Sequence, residues 1–166
     1  TIESELSHYI KHFYNKVVLC NCDDPFESNF CKFFLSNFNK LKLKRLICTS
    51  YYASKIVSTK ISIISNEGVC STHGCGYVLD TEKFCDDEYI SDEIILKHLS
   101  KSGVIKQLKG DGDFRSPECI EYLMLSDIVV TNPPFSLFKE LVSLLMRYNK
   151  NFLLIGNQNA LTYKEI

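Results

Sequence analysis

The sequence has little that would place the protein in a membrane or on a polyanion. No apolar run approaches the roughly 20 residues needed to cross a bilayer, and no basic stretch precedes an apolar core as in a secretion signal. Positive charge is not in excess, since 19 basic and 20 acidic residues give a net charge of -1. Nonspecific affinity for a polyanion depends on clustered Lys and Arg. The net charge of this chain therefore does not attract a polyanion such as DNA. We therefore predict a cytoplasmic protein.

Size and composition predict one globular domain. The 166 residues suit a single hydrophobic core, and 45% apolar with 23% charged residues is typical of a globular chain. The eight cysteines include Cys20 and Cys48 inside apolar runs, so we expect reduced core thiols rather than disulfides. The chain ends directly after Tyr163-Lys164-Glu165 without a capping pattern, and we expect it to be part of a longer protein.

Short apolar runs alternate with amphipathic stretches, which predicts a doubly wound α/β fold with a mainly parallel sheet. A helix from about Ser28 follows the first strand, with Glu27 or Ser28 as its cap. Polar residues follow the strands repeatedly, and ligands bind at the carboxyl ends of open parallel sheets. Strands are predicted at residues 17–20, 45–49, 105–109, 127–131 and 151–155, and later helices at 92–101, 117–126 and 136–148.

Residues 55–105 interrupt this alternation, which predicts a β-rich insertion. Residues 60–65 with the turn at 66–68 suggest a hairpin, and residues 76–80 a later strand. Cys70, His73 and Cys75 have zinc-ligand chemistry, but a fourth ligand at a usual spacing is absent, although Cys85 could be invoked. We predict no metal site.

The segment Asn132-Pro133-Pro134-Phe135 follows a predicted buried strand and is the strongest functional motif. Consecutive prolines fix the backbone and donate no amide hydrogens, so the turn presents rigid acceptors. The Asn132 side-chain oxygen and the Pro133 carbonyl suit the two hydrogens of an aromatic amine such as that of adenine. Phe135 offers a flat face to a base that has left the double helix. A plain turn after a strand is the structural alternative.

Four stretches carry a family resemblance: CNCDDPFESNF at 20–30, GDGDFRS at 110–116, VVTNPPFS at 129–136 and IGN at 155–157. The sequence resembles the EcoRI-type adenine-specific DNA methyltransferases, a branch of the Rossmann-like class I methyltransferases. The likeness covers residues 17–52 and 110–164. It implies a seven-stranded sheet, S-adenosylmethionine as methyl donor and adenine in a short DNA sequence as acceptor.

The resemblance also implies residues for the cofactor. Class I enzymes carry a glycine-rich turn after the first strand, whereas residues 21–29 contain no glycine and place Cys22, Asp23 and Asp24 there. Acids suit the cofactor's ammonium group, yet aspartates also cap helices, so both roles stay open. In class I enzymes an acidic residue at the end of the second strand usually binds the ribose of the cofactor. Here that place is taken by three residues with hydroxyl groups, Thr49, Ser50 and Tyr51. Asp113 and Phe114 would contact the cofactor's adenine, with a solvated loop as the alternative.

The expected protein is thus part of the catalytic domain of a site-specific DNA adenine methyltransferase, over residues 1–166. Relatives extend further, so we expect the target-recognition part to lie outside this chain and the chain alone to be inactive. Double-stranded DNA is the implied partner of the full-length protein, and a cognate restriction endonuclease a second one. RNA adenine or a protein glutamine amide as acceptor, or a noncatalytic nucleotide-binding module, are the alternatives.

Overall fold

A six-stranded sheet organises the chain, and the predicted mainly parallel α/β architecture is confirmed. The structure, a computed structural model, describes residues 2–51, 74–84, 91–101 and 103–156. The sheet has the order β4-β3-β2-β1-β5-β6, in which β1, β2, β5 and β6 are parallel. The strands are β1 (Val17–Asn21), β2 (Arg45–Ser50), β3 (Tyr77–Thr81), β4 (Ile105–Gln107), β5 (Ile128–Thr131) and β6 (Asn151–Leu154).

Helices cover both faces of the sheet. Alternate residues of β1 point to opposite sides, with Val18 and Cys20 in one core cluster and Leu19 in the other. Burial on both faces explains why the central strands are nearly continuously apolar. The first cluster packs against α1 to α4 and the second against α5 and α6. The helices are α1 (Ile2–Ser7), α2 (Ile10–Phe13), α3 (Asn29–Ser36), α4 (Asp92–Leu99), α5 (Pro117–Leu125) and α6 (Phe138–Arg147).

Serine side chains fix where two helices begin. Ser28 Oγ accepts the backbone N–H groups of Phe30 and Cys31 at 3.1 and 3.2 Å, so Ser28 rather than Glu27 caps α3. Ser116 caps α5 in the same way, and Pro117 occupies the first turn as predicted. Such caps each stabilise a helix by about 1 kcal/mol.

The predicted strand at 105–109 is shorter than expected and does not pair with β2. Strand β3 lies between β2 and β4 and runs antiparallel to both. One strand from the predicted insertion is therefore integral to the sheet. The expected hairpin at 60–68 lies outside the described residues. The described part of the chain holds six strands, whereas the family resemblance implies a sheet of seven.

The cysteines that the structure describes in the core are reduced, as predicted. Cys20, Cys31, Cys48 and Cys119 are buried free thiols. Burial raises the pKa of Cys20 to about 11, so this thiol stays protonated at neutral pH. Within the described residues, no helix is long and apolar enough to span a membrane.

The chain reverses its winding direction between β1 and β5, which places a crevice at their carboxyl ends. The unit β1-α3-β2 builds the sheet in one direction and β5-α6-β6 in the other, with α3 and α6 on opposite faces. The β1–β5 ladder pairs Val18 with Ile128 and Leu19 with Val129. The ladder ends two residues before either strand does. Ligands in doubly wound folds bind at this switch point.

Candidate active site

A cleft of about 390 Å³ lies at the carboxyl ends of β1, β2 and β5. Its volume falls within the range of about 300 to 1,000 Å³ that is common for small-molecule sites. The wall combines the loop after β1, the end of β2 and the start of the diproline segment. The lining residues are Ile2, Cys22, Asp23, Asp24, Glu27, Ser28, Asn29, Phe30, Ser50, Tyr51 and Asn132.

The sequence prediction and the structure agree on much of this wall. Six predicted site residues meet in the one cleft: Cys22, Asp23, Asp24, Ser50, Tyr51 and Asn132. Four other lining residues were not predicted as part of the site: Ile2, Glu27, Asn29 and Phe30. Ser28 was predicted only as a helix cap, although its place just after the loop was a usable indication.

The loop after β1 turns sharply without a glycine. Cys22 adopts a left-handed backbone conformation with φ of 68°, which glycine normally supplies. The next residue returns to the sheet, since the Asp23 N–H donates to the Thr49 carbonyl at 3.0 Å. Asp24 then accepts the Phe26 N–H on Oδ1 at 2.8 Å and the Ser28 N–H on its carbonyl at 2.8 Å. The loop is thus held on both sides by hydrogen bonds.

The carboxylate of Asp23 connects this loop to β5 and to the diproline segment. Ser28 Oγ donates to Asp23 Oδ1 at 2.8 Å, and Thr131 Oγ1 lies 2.5 Å from Asp23 Oδ2. The backbone N–H of Asn132 also lies near this carboxylate and lowers its pKa. Thr131 Oγ1 contacts the Asn21 carbonyl as well. Side chains therefore bridge the gap where the β1–β5 ladder has ended.

The cleft carries negative charge and favours a cationic ligand. Asp23, Asp24 and Glu27 line it, and its described lining includes no Lys or Arg. Burial raises the pKa of Asp23 to about 6, against the lowering effect of its hydrogen bonds from Thr131, Ser28 and the Asn132 backbone. Burial likewise raises the pKa of the Cys22 thiol to about 12. An anionic phosphate ligand would be repelled here.

The end of β2 presents Ser50 and Tyr51 to the cleft but not Thr49. Tyr51 is exposed, and Ser50 is buried with its Oγ 3.4 Å from the Tyr77 carbonyl. Thr49 is fully buried on the α5 and α6 face of the sheet, beside Asn21. The Thr49 hydroxyl has no hydrogen-bond partner among the described residues. Thr49 therefore does not line the cleft, and its expected contribution of a hydroxyl to the ligand stays a prediction.

The diproline segment presents open acceptors next to the cleft. Asn132 is exposed and lines the cleft, whereas Pro133 is buried. The Pro134 carbonyl accepts the Leu137 N–H at 2.9 Å and starts the short 3-10 helix Phe135–Leu137. Within the described part of the chain, neither the Asn132 side chain nor the Pro133 carbonyl forms a hydrogen bond to protein. The Asn132 side chain is thus open to a ligand, whereas the Pro133 carbonyl belongs to a buried residue that does not line the cleft.

Phe135 stands out from the surface beside this segment. Its side chain is 66% exposed. Burial in the core does not explain an aromatic ring at this position, since the following residues carry the packing of the segment, with Phe138 at 7% exposed. The ring is free to stack against a planar group.

Asp113 and Phe114 lie at the edge of this region and do not line the cleft. Asp113 forms a two-point ion pair with the exposed Arg115, and this interaction lowers the pKa of Asp113. Phe114 is buried in the second core cluster, with Arg115 over its ring. Asp113 is nonetheless close enough to Cys22 to contribute to the raised pKa of that thiol. Their predicted contacts with a cofactor adenine stay predictions.

A larger cleft of about 550 Å³ lies elsewhere and lacks the predicted chemistry. It sits where β2 begins and β3 ends, with Arg45 bound to Asp80 at 2.7 Å through two hydrogen bonds. His98 borders it and contacts Thr81 at 3.1 Å. No predicted site residue lines it.

Comparisons with known proteins agree with the resemblance that the sequence motifs suggest. Over 167 residues the chain is 44% identical to the Type II methyltransferase M.EcoRI of Escherichia coli, a match that covers 99% of this chain and 45% of that protein. It is 38% identical to the Type II methyltransferase M.MgeORF184P of Mycoplasma genitalium and 36% identical to the Type II methyltransferase M.MpnI of Mycoplasma pneumoniae. These matches cover 99% of this chain, and 41% and 40% of the two relatives.

The chain therefore spans less than half the length of these relatives. No solved structure matches it. A family model described as "Adenine-specific methyltransferase EcoRI" matches residues 1–166. Because that match extends over the whole sequence, the chain belongs to the adenine-specific methyltransferase EcoRI family.

Proposed function

We propose that the protein transfers a methyl group from S-adenosylmethionine to the exocyclic amine of adenine in DNA. One observation carries the proposal: Asn132, with an open amide, shares a wall with an acidic cleft at the sheet's switch point. Family membership and the names of the relatives, which are Type II methyltransferases, support the reaction class.

The residues of the cleft fit S-adenosylmethionine. This donor carries a sulfonium and an ammonium group, and the three carboxylates of the lining suit both charges. We propose that Asp24 and Cys22 contact the methionine part and that Ser50 and Tyr51 contact the ribose. Asp113 and Phe114 would meet the adenine of the cofactor, which requires Arg115 to release Asp113. When bound, the cofactor supplies an electrophilic methyl group.

Asn132 and Pro133 activate the acceptor in this proposal. The lone pair of an aromatic amine is delocalised into the ring and becomes nucleophilic as the nitrogen pyramidalises. Two neutral oxygens, Asn132 Oδ1 and the Pro133 carbonyl, hold the two amine hydrogens in that geometry. No strong base is required, because the amine loses its proton after attack on the methyl group. Phe135 stacks on the flipped base.

DNA recognition requires residues beyond this chain in our proposal. The net charge of -1 and the acidic cleft provide no phosphate-binding surface of their own. We propose that residues 1–166 are a partial catalytic domain, that residues of about 55–105 are an insertion in it, and that the rest of the protein reads the target. Double-stranded DNA is then the substrate, a cognate restriction endonuclease a partner, and the cytoplasm the place of the reaction.

Radiolabelled methyl transfer tests this function directly. The protein at its native length is incubated with labelled S-adenosylmethionine and either duplex DNA of varied sequence, RNA or protein. Label in DNA that is recovered as N6-methyladenine after digestion is the expected result. If label were found only in RNA or in protein, that molecule would be the methyl acceptor instead of DNA. If the protein did not bind S-adenosylmethionine at all, it would be a noncatalytic module.

A further inference from the structure

Asp23 contacts both the loop after β1 and the end of β5, which leads into the diproline segment. These contacts give it a role beyond lining the cleft. Its own backbone N–H is fixed to the end of β2 through Thr49. Asp23 is 6% exposed, and its carboxylate accepts hydrogen bonds from Ser28, which caps α3, and from Thr131, which directly precedes Asn132. The loop proposed for the cofactor and the residue proposed for the acceptor are therefore joined through one carboxylate.

The hydroxyl group of Thr131 has one hydrogen and two possible acceptors. These two oxygens, which lie within hydrogen-bonding reach, are Asp23 Oδ2 and the Asn21 carbonyl. When Asp23 is ionised, it attracts the hydrogen more strongly than a carbonyl does. When Asp23 is protonated, its own O–H donates to Thr131 Oγ1, and the Thr131 hydrogen turns to Asn21. The direction of the Thr131 hydroxyl thus follows the charge on Asp23.

The same charge governs the link to Asn132. A charged acceptor makes hydrogen bonds roughly twice as strong as a neutral one, so the end of β5 that leads into Asn132 is held tightly through Thr131 only by ionised Asp23. The Asn132 side chain, by contrast, forms no hydrogen bond within the described residues. Its position therefore depends on its main chain.

We propose that ionised Asp23 is a positioning residue, which fixes Asn132 against the loop after β1, and that uptake of a proton by Asp23 loosens this link. This inference rests on the proposed methyl transfer for its effect on rate. It differs from the sequence-based expectation that Asp23 contacts the ammonium group of the cofactor. Asp23 acts through Asn132 and the reaction rate, whereas an ammonium partner would act through cofactor affinity.

Among the described residues, the thiols next to Asp23 stay protonated at neutral pH. The thiols of Cys20 and Cys22 have pKa values of about 11 and 12. Asp24 and Glu27 are the remaining titratable groups that face the cleft from the same loop. No Lys, Arg or His of residues 2–51, 74–84, 91–101 and 103–156 forms an ion pair with Asp23. The pKa of Asp23 is raised by burial to about 6.

The kinetic test compares Asp23→Asn with wild type in the protein at its native length. We expect kcat to fall by roughly tenfold or more, as for the loss of a hydrogen bond to a charged group, with the Kd of S-adenosylmethionine within about threefold of wild type. The wild-type kcat rises with pH through about 6, because Asp23 becomes ionised there, and the variant lacks this rise. A cofactor Kd that rises as much as kcat falls would overturn the proposal.

Thr131→Val and Thr49→Val form a matched pair. Both replace a fully buried strand-end threonine, but only the Thr131 hydroxyl contacts Asp23, while the Thr49 hydroxyl has no partner among the described residues. Loss of a donor to the ionised form raises the midpoint of the pH profile by about one pH unit in Thr131→Val. Thr49→Val leaves the midpoint in place. Equal shifts in both variants would contradict the proposal.

A measurement without turnover separates this inference from the proposed function. The backbone amide of Asn132 is followed by NMR between pH 5 and pH 7.5 in wild type and in Asp23→Asn. We expect its proton shift to titrate near pH 6 in wild type only. A flat Asn132 signal in wild type overturns the positioning role even if methyl transfer occurs. Absence of methyl transfer with a titrating signal refutes the proposed function alone.

Discussion

Gly112 packs directly against the backbone carbonyl oxygen of Ser50, with no space for a side chain between them. A Cβ on Gly112 would collide with this oxygen, and Gly112 also has φ of +81°. Gly76 completes the contact, since a Cβ there would lie 2.5 Å from the Gly112 Cα. Because of this close approach, the turn at residues 110–114, which contains Asp113, packs against the end of β2 beside the cleft.

Gly112→Ala is therefore destabilised by backbone strain and by collision of the new Cβ with Ser50, whereas Gly103→Ala is destabilised by backbone strain alone. Gly103 has nearly the same φ, +82°, but nothing within 4 Å of a Cβ. We expect Gly103→Ala to lower the free energy of unfolding by about 1 to 2 kcal/mol from backbone strain, and Gly112→Ala to add roughly 1 to 3 kcal/mol from the collision. Urea unfolding of both variants measures this difference. Equal losses would show that Ser50 moves aside at no cost.

The left-handed Cys22 predicts an unusual ranking of substitutions. Cys22→Gly removes the backbone penalty of about 1 to 2 kcal/mol, whereas Cys22→Ala keeps it, and both lose the half-buried sulfur. The glycine variant is therefore expected to unfold at a higher temperature than the alanine variant. Cys22→Val should be the least stable, because branched residues tolerate this conformation poorly. Thermal unfolding of the three variants checks the order.

Local patterns in the sequence predicted most of the strands, because a buried parallel strand is apolar at nearly every position. The strand predicted at 127–131 is β5, Ile128–Thr131, and that at 151–155 is β6, Asn151–Leu154. The position of β3 between β2 and β4 was not predictable, since pairing between distant segments leaves no local periodicity. The short helices within residues 2–13 were not predicted either, because they are stabilised by burial of Leu6 and Phe13.

The site was predictable where a motif fixes the backbone and not where contacts are tertiary. Asn132 and the loop after β1 meet because parallel strands end at the same edge of the sheet. The burial of Thr49 and the bond from Thr131 to Asp23 depend on contacts between strands that are distant in the sequence. A single sequence contains no record of those contacts.

Asn132→Ala is expected to abolish methyl transfer, with kcat at least about 100-fold lower, as for other groups that stabilise a transition state. Its side chain contacts the acceptor in the proposed reaction, so the Kd of S-adenosylmethionine should stay within several-fold. Asn132→Asp keeps an acceptor oxygen and should retain part of the rate. Single-turnover kinetics and equilibrium cofactor binding separate the two effects. Equal loss of rate and cofactor binding in Asn132→Ala would refute the acceptor role.

Phe135→Ala is expected to act on the nucleic acid rather than on the fold. Stacking of one base on an aromatic ring contributes about 1 to 3 kcal/mol, so KM for DNA should rise roughly tenfold, while Phe135→Tyr stays near wild type. Met146→Ala is the control, because Met146 is 62% exposed, similar to the 66% of Phe135, and lies at the other end of α6. An equal change in KM for both variants would assign the effect to general surface alteration.

The buried Asp23 carboxylate also makes the stability of the protein depend on pH in a direction opposite to that of most acids. Its pKa is raised by burial from 3.8 to about 6, so the folded state binds the proton more tightly than the unfolded state. The stability that comes from the bound proton is fully present below pH 3.8 and is lost as the pH rises through about 6. One pKa unit corresponds to about 1.4 kcal/mol, so the total is roughly 3 kcal/mol.

Asp23→Asn removes this dependence because its side chain is neutral at every pH. We expect the difference in unfolding free energy between the variant and wild type to move in favour of the variant as the pH rises from 4 to 7, and then to level off. Urea titrations at several pH values measure it, and taking differences against wild type cancels the other carboxylates. A difference that is constant over this range would mean that Asp23 has an ordinary pKa. A difference that moves in favour of wild type would mean that its hydrogen bonds from Ser28, Thr131 and Asn132 outweigh burial.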